Sequence, residues 1–241
     1  MRLVWAYSKD YKIGSLNNKA SHEYVQWLFR KAIKSAPKEY EKIIYTDKET
    51  VNIFEDLVDQ VIIRPKKEFI FLADLKFDVA EILNGEFIVS DGDLFINEVL
   101  DIPDCDLAFE YEGVVKPQVK EYKRILLEEG IESSVPIWGT INSNYYNLGL
   151  MYFNNDSIKD KLLEQFRLTQ KFFVNYIEPK YKFNENKKQF SACGSQMLVK
   201  QFALNNECKV GEFVFDNDLK YTHYNNKKKL DLLEEYNKKL I

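Results

Sequence analysis

Histidine is nearly missing from this 241-residue chain, with His22 and His223 the only two. Cysteine is scarce as well, at three residues, and there are only six prolines and nine glycines. Cys105, Cys193 and Cys208 are odd in number and widely spaced. That spacing fits neither a disulfide framework nor a zinc motif, so reduced thiols in a cytosolic setting are expected. Long apolar runs are absent too, and none approaches the length of a membrane span. The opening "MRLVWAYSKDYKIG" lacks the extended apolar core of a signal peptide. A soluble, cytoplasmic protein without a membrane span is therefore expected. Charge of one sign is also missing. The 34 basic and 38 acidic residues leave a net charge of −4, which argues against a broad nucleic-acid surface and leaves room only for a local basic patch.

What the chain does have is apolar and aromatic residues. The apolar fraction is 45%, with 17 Phe and 15 Tyr, which excludes disorder. The length suits one large domain or two small ones and is enough to bury a substantial core. No repeat, low-complexity linker or compositional break divides it. One compact domain over 1–241 is the simplest reading, with a first lobe at 1–97 and a second, ending in a helix, at 98–241.

The first half alternates. Arg2–Tyr7 reads as a buried strand. Residues 21–35 carry Tyr24, Leu28, Ala32 and Ile33 near helical spacing, and Pro37 follows them. Lys42–Thr46 reads as a second strand ending at Asp47, Lys48–Leu57 as a short helix, and Gln60–Ile63 as a third strand. Residues 73–84 read as a helix closed by Gly85, and Phe87–Ser90 as a fourth strand. Such alternation predicts an α/β fold with a parallel sheet. The second half is mixed. Strands are predicted at 106–112, 147–155 and 211–216. Helices are predicted at 157–177, with Ile158, Leu162, Leu163, Phe166, Phe173 and Ile177 on the apolar side, at 190–204, and at 226–240.

One stretch stands out: Glu86 to Asn97, "EFIVSDGDLFIN". A strand that reads as interior runs into Asp91-Gly92-Asp93, and apolar sequence resumes at once. Either this is an acidic turn in solvent, or it is a cup for a cation. A hard divalent ion such as Mg²⁺ or Mn²⁺ favours carboxylate oxygens and accepts phosphate oxygens in its remaining positions. Two carboxylates one residue apart reach a common metal if the backbone turns sharply, and Gly92 would allow that turn without a Cβ penalty. The spelling recurs at Asp104/Asp106 and Asp216/Asp218. Asp91/Asp93 differs by its place at the carboxyl end of a strand in the alternating half, where open α/β sheets bind ligands.

Around this segment the sequence resembles the nucleotide-sugar-dependent glycosyltransferases of the GT-A fold, and most of the chain takes part in the right order. "FIVSDGDLFIN" resembles their metal-binding segment. "VWAYSKD" (4–10) resembles the first strand, which would lay Ala6, Tyr7 and Ser8 along the nucleotide. "IIYTD" (43–47) resembles the second-strand end, where Asp47 would meet base and ribose. "FLADLKFDVAEILNG" (71–85) resembles the helix whose basic residue, here Lys76, faces the donor. "YYNLGLMYFNN" (145–155) resembles the strand lining the acceptor side. "CGSQMLV" (193–199) resembles an Asp-Gln helix start with Ser195 in place of the acid, so Ser195 and Gln196 would stand by the donor sugar. "YTHYNNKKK" (221–229) resembles a late element in which His223 would complete the metal site and one of Lys227–Lys229, such as Lys227 or Lys229, would bind diphosphate. The nearest likeness is to the retaining, glycogenin- and galactosyltransferase-like group.

The resemblance implies a GT-A, Rossmann-like mixed sheet flanked by helices. It also implies a hexosyltransferase-like enzyme with Mn²⁺ or Mg²⁺ on Asp91, Asp93 and His223, and a UDP-linked donor. The acceptor hydroxyl is left open among glycan, protein, small molecule and modified nucleobase. Other residues carry two readings each. Glu110 and Glu112 share a strand face and either orient a donor or acceptor hydroxyl or mark an exposed edge. Trp138-Gly139 either stacks on a ligand or is a core turn. Lys227–Lys229 either neutralises the charge of a diphosphate or is a solvated helix start. His22 and the loop Asp101–Asp106 read as surface. Two rival functions stand beside the transferase: a nucleotidyltransferase acting on a sugar phosphate, and a GT-A-like scaffold without catalysis.

Overall fold

The computed structural model describes residues 1–10, 22–67, 69, 73–112, 145–177, 195–196, 198–200, 202–203, 208–213, 221–223, 232 and 236. Its strands are β1 (Arg2–Tyr7), β2 (Glu41–Thr46), β3 (Gln60–Ile63), β4 (Phe87–Ser90), β5 (Leu94–Ile96), β6 (Leu107–Glu112), β7 (Tyr145–Phe153), β8 (Val210–Phe213) and β9 (Tyr221–His223). The helices are α1 (His22–Ser35), the short α2 (Val51–Phe54) with a tight turn on either side, α3 (Asp74–Ile82) and α4 (Asp156–Phe172). The described parts of 190–204 and 226–240 are helical as well.

Among the described residues seven strands form one sheet in the order β3-β2-β1-β4-β7-β6-β8, and β5 pairs with β9 separately. β1, β2, β3 and β4 run parallel. β7 is antiparallel to both neighbours, and β6 and β8 are parallel. The sheet is thus mixed, with helices on its faces, as the family resemblance implies, and the parallel arrangement predicted from the alternation is confined to β1–β4 and the β6–β8 pair. A parallel strand must bury both faces, and β1 does so by alternation. Leu3, Trp5 and Tyr7 pack with Phe29 and Ile33 of α1, while Val4 packs with the α3 and α4 side. Removing a side chain of this size from water contributes about 1.5–3 kcal/mol.

α4 starts at an Asn cap, where Asn155 Oδ1 accepts from the amide of Ile158 at 3.3 Å. Its apolar side meets α3 through Phe77 and Phe166, stacked 3.7 Å apart. α3 ends at Ile82, and Gly85, at φ 72°, supplies the left-handed turn that leads into β4. This pairing of α3 with α4 holds α3 against β1, with its first turn at the carboxyl edge of the parallel strands.

Candidate functional site

β4 is buried along its whole length, and it delivers Asp91 to the carboxyl edge of the sheet. The Asp91 amide donates to the Gly149 carbonyl at 2.9 Å, and the Leu94 amide returns to the Asp91 carbonyl at 3.3 Å. The chain therefore turns within Asp91-Gly92-Asp93 and re-enters apolar packing as β5. The glycine is needed for a different reason from the one its spelling suggests. Among the described glycines only Gly85 has a positive φ. At Gly92 an added Cβ would lie 2.2 Å from the ring of Phe29, so α1 presses directly on the backbone between the two acids.

Lys76 reaches this turn from α3. Its Nζ lies 2.5 Å from Asp91 Oδ1 and also donates to the Leu148 carbonyl. The lysine is only 9% exposed, whereas the Asp91 side chain keeps 36% exposure. Asp91 therefore carries an ammonium on one side and faces solvent on the other. β9 runs antiparallel to β5 with His223 opposite Leu94. That register brings the backbone of the late histidine beside the residue that follows Asp93. The His223 side chain lies outside the described set. Among the described residues no group of three or more His, Cys, Asp or Glu side chains forms a complete metal cluster.

A second cluster joins the ends of β1, β2 and β3. Arg64, the residue after β3, donates from Nη1 to Asp47 Oδ1 at 2.6 Å and to Ser8 Oγ at 3.2 Å, and from Nη2 to the Lys67 carbonyl at 2.9 Å. The other Asp47 oxygen, Oδ2, accepts the Lys9 amide at 2.8 Å. The guanidinium also sits over Phe69, 4.5 Å from the ring centre. Ser8 and Asp47 were expected here together, but Arg64 was not expected at all. Its signal was the run "QVIIRP", a cation at a strand end directly before proline. Tyr7 places its ring in the core, edge-on to Phe29 and Phe54 at 5.2 and 5.1 Å. Burial pushes its phenol pKa up, while the hydrogen bond from Gln26 Nε2 at 3.4 Å opposes the shift. Ala6 packs against the α3 side and pairs with Tyr45 of β2.

Glu110 and Ser195 are buried, and Gln196 is half-buried. Glu110 pairs with Asn147 on one side and Phe213 on the other, just after a bulge in β6. Having neighbours on both sides, β6 is not an exposed edge at Glu110. Val89 of β4 and Phe109 of β6 share Met151 as partner, so Glu110 stands at the same carboxyl edge as Asp91, two strands away. Lys227, Lys229, Trp138 and Gly139 lie outside the described residues, as does the Glu112 side chain. The second Asp-x-Asp is structural. Asp106 accepts the Lys209 amide and the Asn155 amide group, each at 2.8 Å, and Asp104 pairs with Lys209. In the loop expected at the surface Cys105 is buried, and Cys105 and Cys208 are both free thiols.

No protein-family model matches the sequence, and no curated protein does. Solved structures share its fold. A nucleoside-diphosphate-sugar pyrophosphorylase from Vibrio cholerae is 12% identical, with 96% of this chain and 99% of that one covered, at a TM-score of 0.51. The glycosyltransferase GlyE of Streptococcus pneumoniae is 10% identical over 88% of this chain, which spans only 45% of GlyE, at a TM-score of 0.45. Mouse xyloside xylosyltransferase 1 is 14% identical over 89% of this chain and 84% of its own, at 0.42. At such identities likeness is evidence of fold alone, and the pyrophosphorylase carries that point. Among the described residues no helix is long and apolar enough to cross a membrane.

Proposed function

We propose that this protein is a divalent-cation-dependent glycosyltransferase that moves a sugar from a nucleoside diphosphate, UDP by preference, to an acceptor hydroxyl. The observation that supports it most is the Asp91-Gly92-Asp93 turn at the end of buried β4, with the Lys76 ammonium on Asp91 and the strand of His223 paired beside it. Carboxylates with a neighbouring imidazole suit Mn²⁺ or Mg²⁺. The ammonium on Asp91 is itself a stand-in for such a cation. Asp91 and Asp93 would hold the ion together with His223. Its chemistry there would be to neutralise a diphosphate leaving group.

The remaining roles belong to the chain. The Ser8–Asp47–Arg64 cluster fixes the floor on which the nucleoside would lie, with Ala6 and Tyr7 supporting it from β1. Lys76, and one of Lys227–Lys229, would place positive charge where the departing diphosphate gathers negative charge, which lowers the barrier by stabilising the transition state. Ser195, Gln196 and Glu110 are the proposed sugar-side contacts. Incubation with UDP-sugars, with and without Mn²⁺, tests the scheme. Metal-dependent release of UDP supports it, and absence of any donor binding in the presence of Mn²⁺ overturns it.

The second reading is a nucleotidyltransferase acting on a sugar phosphate. It draws on the end-to-end fold match with the pyrophosphorylase. Release of pyrophosphate from a nucleoside triphosphate and a sugar phosphate would select it over the transferase.

A further inference from the structure

Lys76 and Asp91 have a consequence for the order in which ligands bind, and the inference rests on the donor-and-metal reading of this site. Lys76 is buried, and among the described residues its ammonium has two partners: Asp91 Oδ1 at 2.5 Å and the Leu148 carbonyl. Asp91 is also a carboxylate that a metal would use, and its side chain is open to solvent on the side away from the ammonium. A divalent cation arriving alone must share that single negative charge with the ammonium. If it draws the charge away, it leaves a buried positive charge held by one carbonyl and facing a second, larger positive charge. Stranding one member of a buried pair is costly. A diphosphate arriving with the metal removes the conflict, because its oxygens accept the released ammonium in a charge-assisted hydrogen bond and bridge to the metal as well.

We propose that Lys76 is a resident cation that reserves Asp91, so that a divalent metal gains its full grip only when a nucleoside diphosphate takes over the ammonium. Metal and diphosphate then enter as a coupled pair, and the coupling is reciprocal: each strengthens the other by the same factor. The lysine guards against idle metal binding and also provides a phosphate contact once displaced.

Mn²⁺ titrations followed by calorimetry and by the spin-resonance signal of free Mn²⁺, with and without UDP, test this. In the unmodified chain UDP should strengthen Mn²⁺ binding strongly. Lys76→Gln, which replaces the ammonium with a neutral amide, should bind Mn²⁺ alone about tenfold more tightly, inside the roughly 5–150-fold range of site-to-site coupling. The strengthening by UDP should shrink by a similar factor. Lys48→Gln removes an exposed charge from the same edge of the sheet and should leave Mn²⁺ affinity nearly unchanged. If Lys76→Gln binds Mn²⁺ alone no more tightly than the unmodified chain, while that chain still binds Mn²⁺ and UDP cooperatively, this inference falls and the transferase reading stands. If the unmodified chain binds no Mn²⁺ even with saturating UDP, both fall. A measurement without mutation covers a variant that fails to fold. The Lys76 ammonium resonance should shift when Mg²⁺ and UDP are added together and stay in place at the same Mg²⁺ concentration alone. An equal shift with Mg²⁺ alone overturns the proposal.

Discussion

The ring of Phe29 occupies the space that a side chain at Gly92 would need, 2.2 Å from an ideal Cβ. α1 and the acidic turn are therefore a single packed unit, and the position of both carboxylates depends on a helix that contributes no ligand. Gly92→Ala forces Phe29 off its contacts with Tyr7 and Phe54. Overpacking of this kind costs about 1–3 kcal/mol. Phe29→Leu alone should also destabilise, but the double variant should lose less than the sum because the smaller residue makes room. Urea unfolding of the four proteins checks this, and strict additivity would mean that the two residues do not share the space.

Arg64 and Asp47 carry the next prediction. Their side chains are 1% and 12% exposed and the pair is 2.6 Å apart. Arg64→Met leaves a nearly buried carboxylate whose remaining partner among the described residues is the Lys9 amide. Losing one member of such a pair costs roughly 3–5 kcal/mol. Arg64→Met with Asp47→Leu should recover part of that loss, since no charge is then left unmatched. Thermal unfolding compares the two, and a double variant less stable than Arg64→Met would contradict the account.

These two relationships also mark how far the sequence could be read. β1, β2 and β4 were legible because strands buried on both faces are written as local apolar runs, and Asp91-Gly92-Asp93 was legible because its three letters are adjacent. α1, α3 and α4 followed from the spacing of their apolar residues, with Gly85 marking the end of α3; the Asn155 cap of α4 emerged only in the structure. Long-range relationships were not legible. Nothing local says that Phe29 lies against Gly92, so the glycine was credited with conformational freedom rather than with making room. β5 and β9 are three-residue strands whose pairing joins segments about 125 residues apart, too short and too distant for a pattern to reveal. Arg64 and Lys159 look like solvent-facing charges in the sequence. The fold buries both, and Lys159 Nζ is satisfied by the Leu83 carbonyl, Asn84 and Asp156.

Alkaline pH should weaken the fold through its buried tyrosines. Burial first, then the nearby Asp78 carboxylate, pushes the Tyr45 phenol up to about 12. Burial first, then Glu212, pushes Tyr146 up to about 12. Above the ordinary value of 10.0 the unfolded chain releases these protons while the folded chain keeps them. The unfolded state then binds fewer protons, so stability falls as pH rises. The contribution is intact below pH 10 and is lost between there and about 12. Urea midpoints measured across that range should drop, and Tyr45→Phe should make the drop shallower. An unchanged slope in that variant would place the titrating groups elsewhere.

The last prediction concerns Asp93, the half-buried second acid of the turn. Asp93→Asn keeps shape and volume but removes one negative charge from the proposed cation site. Metal-dependent turnover of a UDP-sugar should fall by about 100-fold or more, equivalent to roughly 2.7 kcal/mol of lost transition-state stabilisation. The chain should still fold without metal, because β4 and β5 hold the turn by backbone and apolar contacts and the Asn amide keeps hydrogen-bonding capacity at this position. Stabilisation by Mn²⁺ plus UDP, which raises the thermal midpoint only if the ligands bind the folded state, should shrink in step with turnover. Turnover and ligand-induced stabilisation that both survive the substitution would remove Asp93 from the metal site, and with it the reading of this turn as the centre of the chemistry.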